Sequence, residues 1–92
     1  MEKKLPLNCP SCESPLQVQQ MHCPACETSV TGLYVLPLLS RLTQEEQNFI
    51  IDFVKASGSL KTMAEHMKLS YPTVRNHLDD LIQKIKEFEN NE

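Results

Sequence analysis

The chain has 92 residues and a net charge of -3, which is room for one domain or two very small ones. Its mild acidity argues against a general nucleic-acid binder but leaves room for a local basic face. No apolar run approaches the roughly 18 residues of a membrane span, and no apolar signal region follows the charged start, so a cytoplasmic protein with reduced cysteines is expected.

Residues 1–8 read as a short arm, with Leu5 and Leu7 as its apolar residues. Two knuckles follow, Cys9-Pro10-Ser11-Cys12 and Cys23-Pro24-Ala25-Cys26, and they use all four cysteines of the chain. Two CxxC pairs match the four-sulfur tetrahedral set that a structural zinc ion takes. A redox pair would want a βαβ context, which is missing, and a catalytic zinc would want an open position, which four cysteines close. One structural Zn2+ held by Cys9, Cys12, Cys23 and Cys26 is therefore expected, with His22 the sole substitute ligand and more simply a surface histidine. The first third has too few large apolar residues for a free-standing core. Zinc contributes about 10–16 kcal/mol to the folding of such a module. The residues after each second cysteine are Glu13 and Glu27, where a turn of this kind favours glycine.

Leu16-Gln17-Val18-Gln19 alternates and predicts a strand. A second strand is predicted over residues 29–34, with Gly32 at a bend or bulge. Residues 35–42, Val-Leu-Pro-Leu-Leu-Ser-Arg-Leu, are too apolar for a flexible linker, and Pro37 suits the first turn of a short helix. Thr43 and Glu46 fit a capping box, with Phe49, Ile50, Phe53 and Val54 following at helical spacing. Gly58 is the expected left-handed stop. Ser59 caps a short helix with Leu60, Met63, Ala64 and Met67 on one face, and Lys68-Leu69 make a turn that Leu69 plugs. Ser70 caps a last helix with Pro72 in its first turn, and Val74, Leu78, Leu81, Ile82, Ile85 and Phe88 form its apolar stripe. No internal repeats are read.

The expected fold is small α+β. A zinc ribbon of two or three short strands (residues 1–34) is joined by an apolar connector (35–42) to a three-helix helix-turn-helix domain with an extended last helix (43–92). The run Ser70, Thr73, Val74, Arg75 and His77 resembles the recognition helices of response-regulator and quorum-sensing transcription factors and of sigma-factor region four, which often read Ser-x-x-Thr-Val-Lys-x-His. Taken with the two CPxC knuckles and the leucine-containing connector, Ser70-Tyr71-Pro72-Thr73-Val74-Arg75 resembles an uncharacterised bacterial family that joins a zinc ribbon to a helix-turn-helix. The resemblance implies the fold and suggests regulation.

With the apolar stripe inward, Pro72, Asn76 and Asp79 face outward and Arg75 flanks them. Arg75 and Asn76 suit guanine and adenine edges, and Tyr71 and Thr73 suit phosphate. Lys61 and Lys68 add positive charge, while His77 falls nearer the core edge. Between Lys55 and Leu78 there are four basic residues and one acid, Glu65; from Asp79 onward there are two lysines and five acids. Asp79 stands four residues after Arg75, at ion-pairing distance on a helix. Leu36, Leu38, Leu39, Ile85 and Phe88 need burial on the ribbon or on a second copy, and a homodimer on double-stranded DNA is favoured.

A DNA-binding transcriptional regulator is thus the first reading. The alternatives are a protein-interaction adaptor that docks through the ribbon, connector or acidic tail, and a metal or thiol sensor. No phosphate loop, paired nucleophile and base, or carboxylate pair marks an enzyme.

Overall fold

The structure is a computed structural model and describes residues 3–90. It divides into two compact units, Met1–Pro37 and Leu38–Glu92.

The first unit is built from two small hairpins, each tipped by a knuckle. Leu16 N–H donates to the Leu7 carbonyl at 2.9 Å, and Asn8 bridges Pro15 in antiparallel fashion, around the first knuckle. Strand β1 (Val18–His22) pairs antiparallel with β2 (Ser29–Tyr34) around the second. The first strand therefore starts later than the alternation at residues 16–19 predicts. Hairpin register is set by the turn. Here the knuckle between His22 and Ser29 fixes it, while Leu16 belongs to the first hairpin. Pairing runs from Gln20↔Thr31 to Val18↔Tyr34, so β2 carries one extra residue around Gly32. A Cβ at Gly32 would fall 2.7 Å from the Tyr34 ring, which explains the glycine at the bulge. Among the described residues most of this unit's apolar side chains stand in solvent, Leu33 at 75% exposure among them, and no large one is buried. Side-chain packing is thus too sparse to form a core here.

The second unit opens with a 3-10 turn, η1 (Leu38–Arg41), directly after Pro37. Three helices follow: α1 (Gln44–Lys55), α2 (Leu60–Met67) and α3 (Tyr71–Asn90). Each start is capped from the preceding residue. At Thr43 the full capping box forms: Glu46 N–H donates to Thr43 Oγ1 at 3.2 Å, and Thr43 N–H to Glu46 Oε1 at 2.8 Å. Ser59 Oγ accepts from Thr62 N–H at 3.2 Å, and Ser70 Oγ from Thr73 N–H at 3.3 Å.

Gly58 is left-handed at the end of α1, as expected, and the turn begins one residue earlier. Gly58 has φ 81, but Ser57 before it already has φ 54. Gly58 N–H reaches the Phe53 carbonyl at 2.9 Å, and Ser57 N–H reaches that of Val54 at 3.0 Å. That is a Schellman turn in which Ser57 and Gly58 are both left-handed, with Ser57 at the position glycine usually takes.

The core is Leu60, Met63, Ala64 and Val74, with Phe49, Phe53, Ala56, Met67 and Leu78 packed against it. Val54 is 68% exposed and Ile82 39% exposed, so both lie outside it. Leu42, which composition assigns to the connector, is fully buried, and Leu81 is nearly so. The far end of α3 is covered within this unit. Arg41 stacks on the Phe88 ring at 5.2 Å, Lys84 lies 5.8 Å from it, and Lys84 Nζ donates to Glu46 Oε1 at 2.7 Å. Of the residues expected to need burial, Leu36, Leu38, Ile85 and Phe88 are half-buried, while Leu39 is 55% exposed.

Candidate metal centre and nucleic-acid face

The two knuckles share one backbone construction. Cys9 N–H donates to the Ser14 carbonyl and Glu13 N–H to the Cys9 carbonyl, both at 2.8 Å. In the second knuckle Cys23 N–H donates to the Thr28 carbonyl and Glu27 N–H to the Cys23 carbonyl, again at 2.8 Å. Closing both turns demands a left-handed residue after the second cysteine, and Glu13 (φ 64) and Glu27 (φ 63) adopt it. Ser11 N–H also donates to Cys9 Sγ at 3.4 Å.

A hydroxyl sits beside the second sulfur of each pair. Cys12 Sγ is 3.3 Å from Ser14 Oγ, and Cys26 Sγ is 3.0 Å from Thr28 Oγ1. These side-chain hydrogen bonds, then those of the same residues' backbone, hold both thiols below their ordinary range. The partner cysteine of each pair, Cys9 or Cys23, contributes next. The shift favours the thiolate, the form that binds metal. Against the expectation of no internal repeat, residues 9–14 and 23–28 form a short one, Cys-Pro-x-Cys-Glu-Ser/Thr, in sequence and in hydrogen bonding.

The cysteines stand as two pairs. Among the described residues no three His, Cys, Asp or Glu side chains gather into a group able to hold an ion. What fits zinc is the donor chemistry and the two finished turns: four sulfurs, two of them biased toward thiolate, on backbones already closed. The His22 ring lies 3.5 Å from Ser29 Oγ.

The second candidate site lies where α2 turns into α3. Lys68 ends α2 in the left-handed region (φ 57, ψ 40). Leu69 N–H closes the turn on the Ala64 carbonyl at 3.0 Å. Leu69 contributes through that backbone bond and is no plug, since 40% of it is exposed. Tyr71, Pro72, Arg75 and Asn76 are exposed together on the first turns of α3, with Lys68 just before them. Thr73 is half-buried, and its hydroxyl is 2.8 Å from Ser70 Oγ. Lys61 is exposed at the opposite end of α2, about 10 Å along that helix from Lys68. Arg75 Nε lies 3.4 Å from Asp79 Oδ1, the pairing their spacing predicts, and both side chains are about half exposed. The His77 ring is 6.3 Å from that of Phe49, which puts it against α1.

Two family models match the chain. The zinc ribbon of DUF2089 matches residues 9–40, and the helix-turn-helix of the same domain of unknown function matches residues 42–87. The chain belongs to the DUF2089 family. No curated protein and no solved structure matches it.

The boundary between the two DUF2089 segments falls beside Leu42, whose burial ties the connector's end to the helical unit. Ser14 and Thr28 are the site residues that a reading focused on cysteines misses. Their signal was present: each follows the second cysteine of its knuckle by two residues. Among the described residues no helix is long and apolar enough to cross a membrane.

Proposed function

We propose that this chain is a cytoplasmic DNA-binding transcriptional regulator that works as a homodimer, with a ribbon folded by one structural zinc ion. Cys9, Cys12, Cys23 and Cys26 would hold that ion, which supplies folding free energy to a unit whose own packing is sparse. The chain would carry out no catalysis. The observation that carries the reading is the exposed cluster Tyr71, Pro72, Arg75 and Asn76 on the first turns of a helix set off by a tight turn. In a helix-turn-helix those are the positions that meet base edges in the major groove. Arg75 and Asn76 have the donors for guanine and adenine, and Lys61, Lys68 and the Tyr71 hydroxyl would take phosphates.

The test is selection from a random DNA pool with the zinc-loaded protein at a stated salt concentration, followed by gel shifts of the selected duplex. Arg75→Ala with Asn76→Ala should remove sequence preference and leave the circular dichroism spectrum intact. Equal binding by that double variant would sink the reading face.

A second reading is favoured by the ion pair of Arg75 with Asp79, which partly neutralises the best base-reading cation. On that reading the protein is an adaptor that docks on another protein of the transcription apparatus. It would show no DNA affinity at physiological salt and would co-purify with a partner.

A further inference from the structure

Ser14 and Thr28 each do two separable things. Their carbonyls accept from Cys9 N–H and Cys23 N–H and so close the knuckles, a task that any residue's backbone performs. Their hydroxyls are not needed for that closure. Both residues are exposed, and water alone would satisfy either hydroxyl. Yet Ser14 Oγ lies 3.3 Å from Cys12 Sγ, and Thr28 Oγ1 lies 3.0 Å from Cys26 Sγ. A serine in one knuckle and a threonine in the other make the same contact, and the hydroxyl is what the two side chains share.

The contacts fall on one half of the sulfur set. Cys12 and Cys26 are exposed, whereas Cys9 and Cys23 are half-buried. With its proton in place, the Cys12 thiol donates to Ser14 Oγ. A metal-bound sulfur has released that proton to solvent, and the proton left between the two atoms is the hydroxyl's. The bond then runs from hydroxyl to thiolate, and its charge makes it stronger. Four thiolates around a divalent ion leave a doubly negative centre, and Glu13 and Glu27 follow Cys12 and Cys26 directly. Donors to sulfur draw off that charge and orient the ligand. Exposed thiolates are also the ones that electrophiles and oxidants reach first.

We propose that Ser14 and Thr28 are positioning residues of the metal centre, whose hydroxyls donate to the two exposed zinc-bound sulfurs, hold them on the ion and shield them from alkylation and oxidation. The proposal rests on the zinc reading above and adds the atoms through which the ribbon keeps its metal. A centre shielded in this way retains its ion in the presence of thiol reagents, the reverse of what a thiol sensor needs.

The experiment uses the full chain loaded with cobalt or zinc. Cobalt-loaded wild type should show the ligand-field bands of a tetrahedral four-sulfur site. Ser14→Ala with Thr28→Val should keep those bands at saturating cobalt and move the sulfur-to-cobalt charge-transfer band to lower energy. Its zinc affinity, by chelator competition, should fall about tenfold. In excess zinc it should react faster than wild type with iodoacetamide, first at Cys12 and Cys26 by peptide mass mapping. The exchange variant, Ser14→Thr with Thr28→Ser, keeps both hydroxyls and should match wild type throughout. If the Ala/Val pair loses the four-sulfur bands, Ser14→Ala and Thr28→Val alone carry the same comparison one knuckle at a time. Four results would overturn the proposal. The hydroxyl-free variants keep the wild-type charge-transfer band and affinity, which leaves the zinc site standing without them; the exchange variant loses as much as the Ala/Val pair, which makes side-chain size the cause; alkylation begins at Cys9 and Cys23; or wild type gives no four-sulfur spectrum, which removes the zinc reading and this proposal with it.

Discussion

Replacing Glu13 and Glu27 together by glycine should tighten zinc binding. Both residues sit near φ +64 in turns closed by their own N–H groups, so neither can leave the left-handed region without breaking its knuckle. An L-residue there costs about 1–2 kcal/mol. Glycine removes that cost but loses about 0.4–1 kcal/mol through the greater freedom of the unfolded chain. The net gain is about 0.5–1 kcal/mol per knuckle. Because folding and metal binding are linked in such a unit, about 1–2 kcal/mol over two knuckles becomes roughly a 5- to 30-fold gain in zinc affinity. Competition against a chromophoric chelator at fixed pH reads this directly. The double glycine variant also removes two negative charges beside the thiolates, so Glu13→Gln with Glu27→Gln is the control: it removes the charge and keeps the strain. If the glutamine pair gains as much as the glycine pair, backbone strain is not the cause and the reasoning fails.

The same logic applies to Ser57, left-handed at the end of α1: Ser57→Gly should raise the urea midpoint of the helical unit by the equivalent of about 0.5 kcal/mol with an unchanged slope. Met63, 1% exposed in the core, has little room to be replaced; Met63→Ala should cost about 2–5 kcal/mol, read as a large drop in thermal midpoint or loss of the folded NMR spectrum. Burial works to raise the pKa of Glu46, but hydrogen bonds from Lys84 and Thr43 outweigh it and hold the carboxyl below its ordinary 4.5. Its contribution is therefore present above about pH 4.5 and lost as the pH falls through the depressed value, and Glu46→Gln should flatten that part of the acid unfolding curve. Finally, Asp79→Asn frees Arg75 and removes a charge near the phosphates, so it should strengthen DNA binding on the order of fivefold in gel shifts at low salt; weaker binding would mean that the ion pair positions Arg75.

Features set by neighbouring residues were legible in the sequence. Thr43, Ser59 and Ser70 announce helix starts because a cap acts within three residues of itself. The knuckles were legible for the same reason, since two sulfurs and a tight turn need only the CPxC spacing. Features set at a distance were not. The start of β1 depends on the register that the second knuckle imposes. Leu42 looks like any other leucine of the connector, and its burial depends on how η1 packs in the helical unit. Leu69 was expected to fill the turn with its side chain, whereas the turn is closed by its N–H.

The knuckle turns bear on how relatives of this protein are to be found. The bond from Glu13 N–H to the Cys9 carbonyl, and its twin from Glu27 to Cys23, asks only for an amide proton in a left-handed residue. Any residue except proline supplies one. A search pattern that insists on glycine after the second cysteine would therefore discard chains like this one. A pattern written on the hydroxyl two places after that cysteine would retain this one, because Ser14 and Thr28 bond the sulfurs from there.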